Sequence, residues 1–393
     1  MKKIKYIANI ILSWVLLPIL LVIVLLPILF FISFLARFSK KTIDIGLGPQ
    51  PLINNVHHKK CLIKKGYTCE TFVSNTWFIT GDFDYNFNIY FNNRFNKIKY
   101  ILIFFFVIFR YKCLYLYFDG GPLGFMYILW RFEPYLLRLA NVKTVVMPYG
   151  GDVQDFSLSQ NLLFKNANAI DYPMHRLRKK NIEKRVNLWT MKADHIISGC
   201  EWVYYMHHWD TLMLAHFSID TDEWKPVKKS SNRDALKLLH APNHRTIKGT
   251  NYLVDAVEEL QSEGYELELI LLEGQPNSVI KEKIIESDLV VDQLIVGWYA
   301  MFAIESMSLG KPVICFQDET LLEFYYDLGL LNNKSTPLIN AKPSTIKETL
   351  AYYMDNKHLL DEIGKQGREF VLSYHSLDAI GKYFDEINKK INI

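Results

Sequence analysis

Apolar and polar positions alternate with three different rhythms along the chain. From Ile7 to Leu35 the residues are almost continuously apolar, interrupted only by Asn9, Ser13, Pro18, Pro27 and Ser33. A single helix over this stretch would run to about 43 Å at about 1.5 Å per residue, more than the roughly 30 Å of bilayer hydrocarbon. The pattern predicts an N-terminal hydrophobic helix within residues 1–41. It either crosses a membrane once with a tilt, or breaks at proline and re-enters. Lysines 2, 3 and 5 precede it and Arg37, Lys40 and Lys41 follow, so flanking charge does not choose an orientation.

After Thr42 short apolar runs alternate with amphipathic stretches. Strands are expected at Glu70–Val73, Cys113–Phe118 and Val142–Pro148, and in the run ADHIIS. Several end in glycine-rich loops: Gly46 to Pro51, DGGPLG and YGGDV. The run KIKYILIFFFVIFR, Lys97 to Arg110, is too short to span a bilayer and reads as a helix buried in the core or docked on a membrane. Beyond residue 235 the beat is regular, with strands expected at 236–240, 267–272, 289–292 and 312–316 and helices at 249–263, 278–287, 299–309 and 320–329. Strands separated by helices predict an α/β chain with parallel sheets and right-handed crossovers. The boundaries that follow are a first domain over 42–225, a second over 226–376, and a C-terminal helix over 377–393 that crosses back to the first. The linker-like stretch is Lys225 to Asn232.

Two stretches carry candidate chemistry. In DQLIVGWYAMFAIESMSLGKPVICF, Gly310 suits the left-handed position after a helix, Lys311 the negative helix end, and Pro312 forbids continuation. Glu305 is the single acid of that helix; it either turns to solvent or caps a neighbour, or it holds a ligand. In LKLLHAPNHRTIKGTNYLVDAVEEL, Arg245 and Lys248 precede an amphipathic helix, and basic residues at a helix N-terminus suit a phosphate. The glycine-rich loop with Gly48 lets backbone amides approach a ligand or simply makes a tight turn. Asp152 is either a site acid or the cap of a turn. Glu201 opens a helix whose dipole it complements.

Taken together, Asn243 to Thr250 and FAIESMSLGKPVI resemble the retaining nucleotide-sugar glycosyltransferases of family 4. The resemblance covers most of the chain after residue 41 and implies the GT-B fold, two Rossmann-like domains whose parallel sheets face a cleft. It implies a nucleotide-sugar co-substrate, with Glu305 on the donor ribose and Lys248 and Arg245 on the diphosphate. Gly48, Gly274 and Gly297 then fall on the donor side, and Gln50, Asn54 and Asn55 on the acceptor side. Asp152 joins Lys248 and Arg245 as a catalytic candidate. The chain departs from the family twice. Gly297 stands where an acid is usual, and Asn243 where the phosphate arginine normally sits.

Composition narrows the picture. A net charge of +4 over 393 residues does not support nucleic-acid binding. Five cysteines without a CxxC pair exclude a disulfide framework and a zinc site, and fit a reducing cytosol. There is no convincing DxD pair to hold a metal, so the expected transfer needs neither metal nor cofactor. The resemblance and the apolar N-terminus imply a glycan or lipid-linked acceptor and a position at the inner membrane with the soluble domains in the cytosol. A non-catalytic GT-B subunit and a nucleotide-sugar-binding regulatory module are the competing readings.

Overall fold

The computed structural model describes residues 21–76, 81–89, 96–227 and 235–393. Residues 7–20 of the apolar stretch and 228–232 of the linker-like stretch lie outside the described residues. The described part of the apolar stretch is a π-helical turn, Leu21–Leu25, running into helix α1, Leu26–Ala36. Among the described residues no helix is long and apolar enough to cross a membrane. Helix α1 instead lays Leu29, Ser33 and Ala36, one stripe at helical spacing, against the first lobe.

The first lobe follows in chain order: β1 Ile43–Leu47, α2 Ile53–Lys64, β2 Cys69–Val73, β3 Tyr85–Asn86, α3 Asn96–Arg110, β4 Tyr111–Tyr117, α4 Glu133–Leu139, β5 Lys143–Met147, α5 Leu162–Asp171, α6 Lys179–Lys192, β6 His195–Ser198 and β7 Thr211–Leu212. Its seven strands pair in parallel in the order β3-β2-β1-β4-β5-β6-β7. Central strands such as β4 are buried on both faces, which is why they read as unbroken apolar runs. The run from Cys200 to Tyr204 is a short 3-10 turn, not the expected helix. Cys200, the first residue of the run, adopts a left-handed φ of 52°, outside the range of a right-handed helix.

The second lobe contains β8 Leu236–His240, α7 Arg245–Lys248, α8 Thr250–Ser262, β9 Leu267–Leu271, α9 Asn277–Glu286, β10 Leu289–Val291, α10 Met301–Ser308, β11 Val313–Ile314, α11 Glu319–Asp327, α12 Ile346–Asp355 and α13 Leu360–Tyr374. Its strands pair in parallel in the order β11-β10-β8-β9. Helix α8 buries Leu253, Ala256, Val257 and Leu260, spaced as one face of a helix must be.

Helix α14, Leu377–Lys390, leaves the second lobe and lies along α2 of the first. Its Phe384 ring meets Tyr115 and His58 edge-on at 5.3 and 5.0 Å, and the Tyr115 hydroxyl donates to Asn388 Oδ1 at 2.9 Å. Tyr115→Phe would leave that buried amide oxygen without a donor. The expected cost is about 1–3 kcal/mol in urea unfolding, with no change at the cleft.

A joint of aromatic side chains holds the lobes together. Trp298 and Tyr299 stack at 5.3 Å, and Trp298 Nε1 donates to Leu214 O across the lobes at 2.9 Å. The Tyr325 hydroxyl donates to Cys200 O at 2.7 Å. His375 Nδ1 donates to Phe217 O at 3.0 Å, so Nε2 is left to accept from the Tyr299 hydroxyl at 2.9 Å. On the opposite side, α5 rests its Phe164 and Ala167 on Ile247 and Ile295, and Asn161 Nδ2 donates to Ile295 O at 2.6 Å.

Candidate functional site

The carboxyl ends of β8 and β10 form the centre of the site. At the end of β8, His240 Nδ1 donates to Val291 O at 2.8 Å, which leaves Nε2 to accept from Thr250 Oγ1 at 2.9 Å. Burial lowers its pKa to about 4, so this is a neutral histidine that ties two strands to the start of α8. The chain then makes the single turn α7, reverses at Gly249 with φ 75°, and enters α8. That reversal puts Lys248 over the end of β10.

Lys248 does not stand free. Its ammonium is 2.6 Å from Asp292 Oδ1 and 3.2 Å from Gln293 Oε1. The Asp292 side chain has no exposed surface and that of Lys248 has 12 %, so the pair is shielded from screening. Asp292 Oδ2 also accepts from Ala300 N, at 3.4 Å, at the start of α10. One turn into that helix, Glu305 is buried, and its Oε1 accepts from Asn277 Nδ2 at 2.8 Å at the start of α9. Burial pushes the Glu305 carboxyl up to about 7, opposed by the Asn277 hydrogen bond, raised further by the charge of Asp292 and lowered by Lys281. Asp292 thus pairs with Lys248 and acts through its charge on Glu305.

The remaining expected residues fall in several places. Arg245 is exposed and pairs with Glu273 Oε2 at 3.2 Å, at the rim. Arg245→Ala is expected to shift the urea unfolding midpoint little, because a half-exposed ion pair is screened. Gly274 sits beside that pair with open space around it. Gly297 has φ 95°, and a Cβ there would meet Asp318 Cβ at 3.4 Å and Phe316 Cε1 at 3.6 Å. Those are ordinary contacts, so what disfavours an acidic side chain at 297 is the left-handed backbone and not a lack of space. Gly48 lies in the first lobe, where a Cβ would come within 2.0 Å of Phe72 O. The glycine therefore answers to strand packing.

Gln50 Nε2 donates to Gly120 O at 3.0 Å, while its Oε1 and the Oδ1 of Asn54 are buried without a partner. Asn55 is used internally, donating to Gln50 O at 2.8 Å and accepting from the Tyr117 hydroxyl at 2.9 Å. Asp152 is fully buried. Its oxygens accept from the backbone of Tyr149 at 2.9 Å, Gly150 at 3.0 Å and Phe118 at 3.0 Å, which locks two glycine-rich loops to each other. Burial pushes it up to about 7, with Asp119 adding to the rise.

Four residues that hold expected ones in place escaped sequence reasoning: Asp292 and Gln293 on Lys248, Asn277 on Glu305, and Gln154 on Glu201. Asp292 carried a signal, being the first polar residue after the apolar run Leu289–Val291 and so at the sheet's carboxyl edge. Asn277 carried none. Glu201 also differs from expectation. It is buried, accepts from Gln154 Nε2 at 2.9 Å, and is pushed up to about 7 by burial, so it does not complement a helix dipole at the surface.

No protein-family model matches the chain, and no curated protein matches it in sequence. Solved structures do match in shape. The sucrose-phosphate synthase of Thermosynechococcus elongatus superposes with a TM-score of 0.57 at 14% identity, over 89% of this chain and 99% of that one. Anabaena HepE in complex with UDP and glucose gives 0.55 at 11% identity, over 88% and 100%. The N-terminal domain of Candida albicans trehalose-6-phosphate phosphatase gives 0.53 at 10%, over 90% and 99%. The likeness is one of fold, and that fold is GT-B: two α/β lobes with parallel sheets.

Proposed function

We propose that this chain transfers a sugar from a nucleotide-sugar donor to a glycan or lipid-linked acceptor, with retention and without a metal. One observation carries the reading: the Lys248–Asp292 pair stands at the carboxyl edge of the second sheet, where parallel α/β sheets bind ligands, and the charge of Asp292 is felt by Glu305, itself held by Asn277. The HepE structure, of the same fold, holds UDP and glucose. The donor ribose hydroxyls donate to Glu305, and Asn277 fixes that carboxylate. The diphosphate lies against Lys248 and the first amides of α8.

In the transfer the bond from the anomeric carbon to the diphosphate oxygen breaks, and its electron pair stays on the diphosphate. The acceptor oxygen bonds to the same carbon on the same face and gives up its proton. Lys248 stabilises the charge that builds on the leaving oxygen, the class of interaction with the largest catalytic effect. Arg245 adds a weaker, screened attraction from the rim. Gln50 and Asn54 have unused buried oxygens to accept from acceptor hydroxyls. Asp152 works at one remove, by holding the loops of the first lobe in register. We assign the chain to the cytosolic face of an inner membrane, tethered through the apolar residues that precede α1, in surface-polysaccharide or glycolipid assembly.

Gly297 favours a second reading, a GT-B subunit or regulatory module that binds a nucleotide sugar without turnover, since its φ of 95° disfavours the acid usual in family 4. Nucleoside diphosphate release from a panel of nucleotide sugars, with and without membrane-lipid acceptors, separates the two. Acceptor-dependent release is the expected result. Donor binding without release from any pair would sink the catalytic reading and leave the second.

A further inference from the structure

Helix α1 is apolar on both sides. Its inner stripe is packed on the first lobe, yet its outer side exposes Ile28, Phe31, Phe34 and Leu35, and Phe38 follows at 72 % exposure. A helix of a water-soluble lobe turns charges outward; a helix apolar all round has a second apolar environment. Beside it runs a groove of about 640 Å³ between α1, α4 and α6, floored by Phe30, Trp130, Phe132 and Leu188 and edged by Tyr135 and Met191. Exposed apolar side chains in a row beside an apolar groove are the kind of surface that marks an interaction site.

The rim is basic. Arg131 and Lys184 line the groove, Arg138 and Lys192 lie beside it on α4 and α6, and Arg37 and Lys40 follow α1. Glu183 is the exposed acid on α6, and Glu133 of α4 is buried, with both oxygens held by the backbone of Gly121 and Leu123. Lys192 and Arg131 rest against the Tyr135 and Trp130 rings, so that aromatic bodies and cationic heads alternate along one edge. Each basic residue near an anionic bilayer adds to the attraction. The apolar strip also continues, in sequence, the stretch Ile7–Leu20 that leads into it.

We infer that this face docks flat on an anionic lipid bilayer, with the aromatic side chains of α1 and the groove in the acyl boundary and the rim cations on lipid phosphates. It thereby orients the first lobe relative to the membrane, a role a tether alone does not fill. The inference rests on the membrane part of the proposed function and is independent of the transfer chemistry.

The five native cysteines are all buried, so a single introduced thiol can be labelled. The full chain carrying Met191→Cys with an environment-sensitive dye, and a control with Tyr352→Cys in the second lobe, are mixed with vesicles of phosphatidylcholine alone or with phosphatidylglycerol. With anionic vesicles the probe at 191 should shift to the blue and be quenched by nitroxides on the lipid chains, the probe at 352 should do neither, and Arg131→Glu with Lys184→Glu should reduce the quenching at least several-fold. Cosedimentation with a silent probe at 191 overturns the docking face while sparing the tether. Absence of cosedimentation overturns both. A probe at 191 already shielded without vesicles means that the chain's own N-terminus or a second copy covers the groove, and it overturns the inference too.

Discussion

Lys248→Met is expected to lower acceptor-dependent release of nucleoside diphosphate by about 10²–10³-fold, the scale on which one charge-stabilising donor acts in a shielded site. The same change should destabilise the chain by about 3–5 kcal/mol, because it strands Asp292 as a buried charge without a partner. The Asp292 side chain has no exposed surface, and its Oδ1 sits 2.6 Å from the ammonium. A loss of activity in the single variant would therefore be ambiguous. Pairing Lys248→Met with Asp292→Asn resolves it: the double variant removes both charges, should recover most of the melting temperature, and should remain inactive. Transfer at parental rate in the refolded double variant would refute the role given to Lys248. Asp292→Asn alone sharpens the test. In the parent the aspartate competes with the diphosphate for the ammonium, so the variant's lost stability should be regained on adding donor, as a larger donor-induced rise in melting temperature than the parent shows.

The regular beat of the second lobe is what made it legible. Strand 236–240 and helix 249–263 emerge as Leu236–His240 and Thr250–Ser262 because each local signal, apolar run or one-sided face, agrees with its tertiary place. The end of α10 was readable for the same reason, with Gly310 at φ 73°. Lys311, however, reaches away from its own helix end to Ile285 O and Ser287 O at the end of α9. What could not be read depends on contacts distant in sequence. Gly297 stands where the resemblance to family 4 leads one to expect an acid, with Trp298 and Tyr299 following, and a sequence reading sees only a missing acid. In the fold these two rings sit in the joint between lobes and meet Leu214 and His375, contacts that no local pattern announces. Likewise Lys248 was legible as a cation at a helix start, but its partner lies 44 residues away in sequence. Glycines were the least transparent: Gly48 looks like a ligand loop and answers to the carbonyl of Phe72.

Glu305→Ala should weaken binding of an intact sugar nucleotide by about 10²-fold, since two hydroxyls lose a charged acceptor, each such hydrogen bond being worth roughly 1.5–3 kcal/mol with water competing in the variant. The pH dependence identifies the group. Burial pushes this carboxyl from an ordinary 4.5 up to about 7. Below that pH it holds a proton and offers one fewer oxygen to the ribose, so parental affinity should rise between about pH 6 and pH 8. A sugar nucleotide has no phosphate proton to lose in that range, which leaves the protein as the source of the change. Glu305→Gln accepts through one oxygen at every pH, and its affinity should be flat and close to that of the parent at low pH. Stability runs the other way. A carboxyl whose pKa is raised on folding favours the folded state most below its unfolded value, and that contribution is lost as pH rises through about 7. Glu305→Gln should therefore melt higher relative to the parent at about pH 8 than at about pH 5. A parental binding curve without slope across pH 7, or a glutamine variant that keeps the slope, would remove Glu305 from the ribose and with it the donor orientation proposed for the cleft.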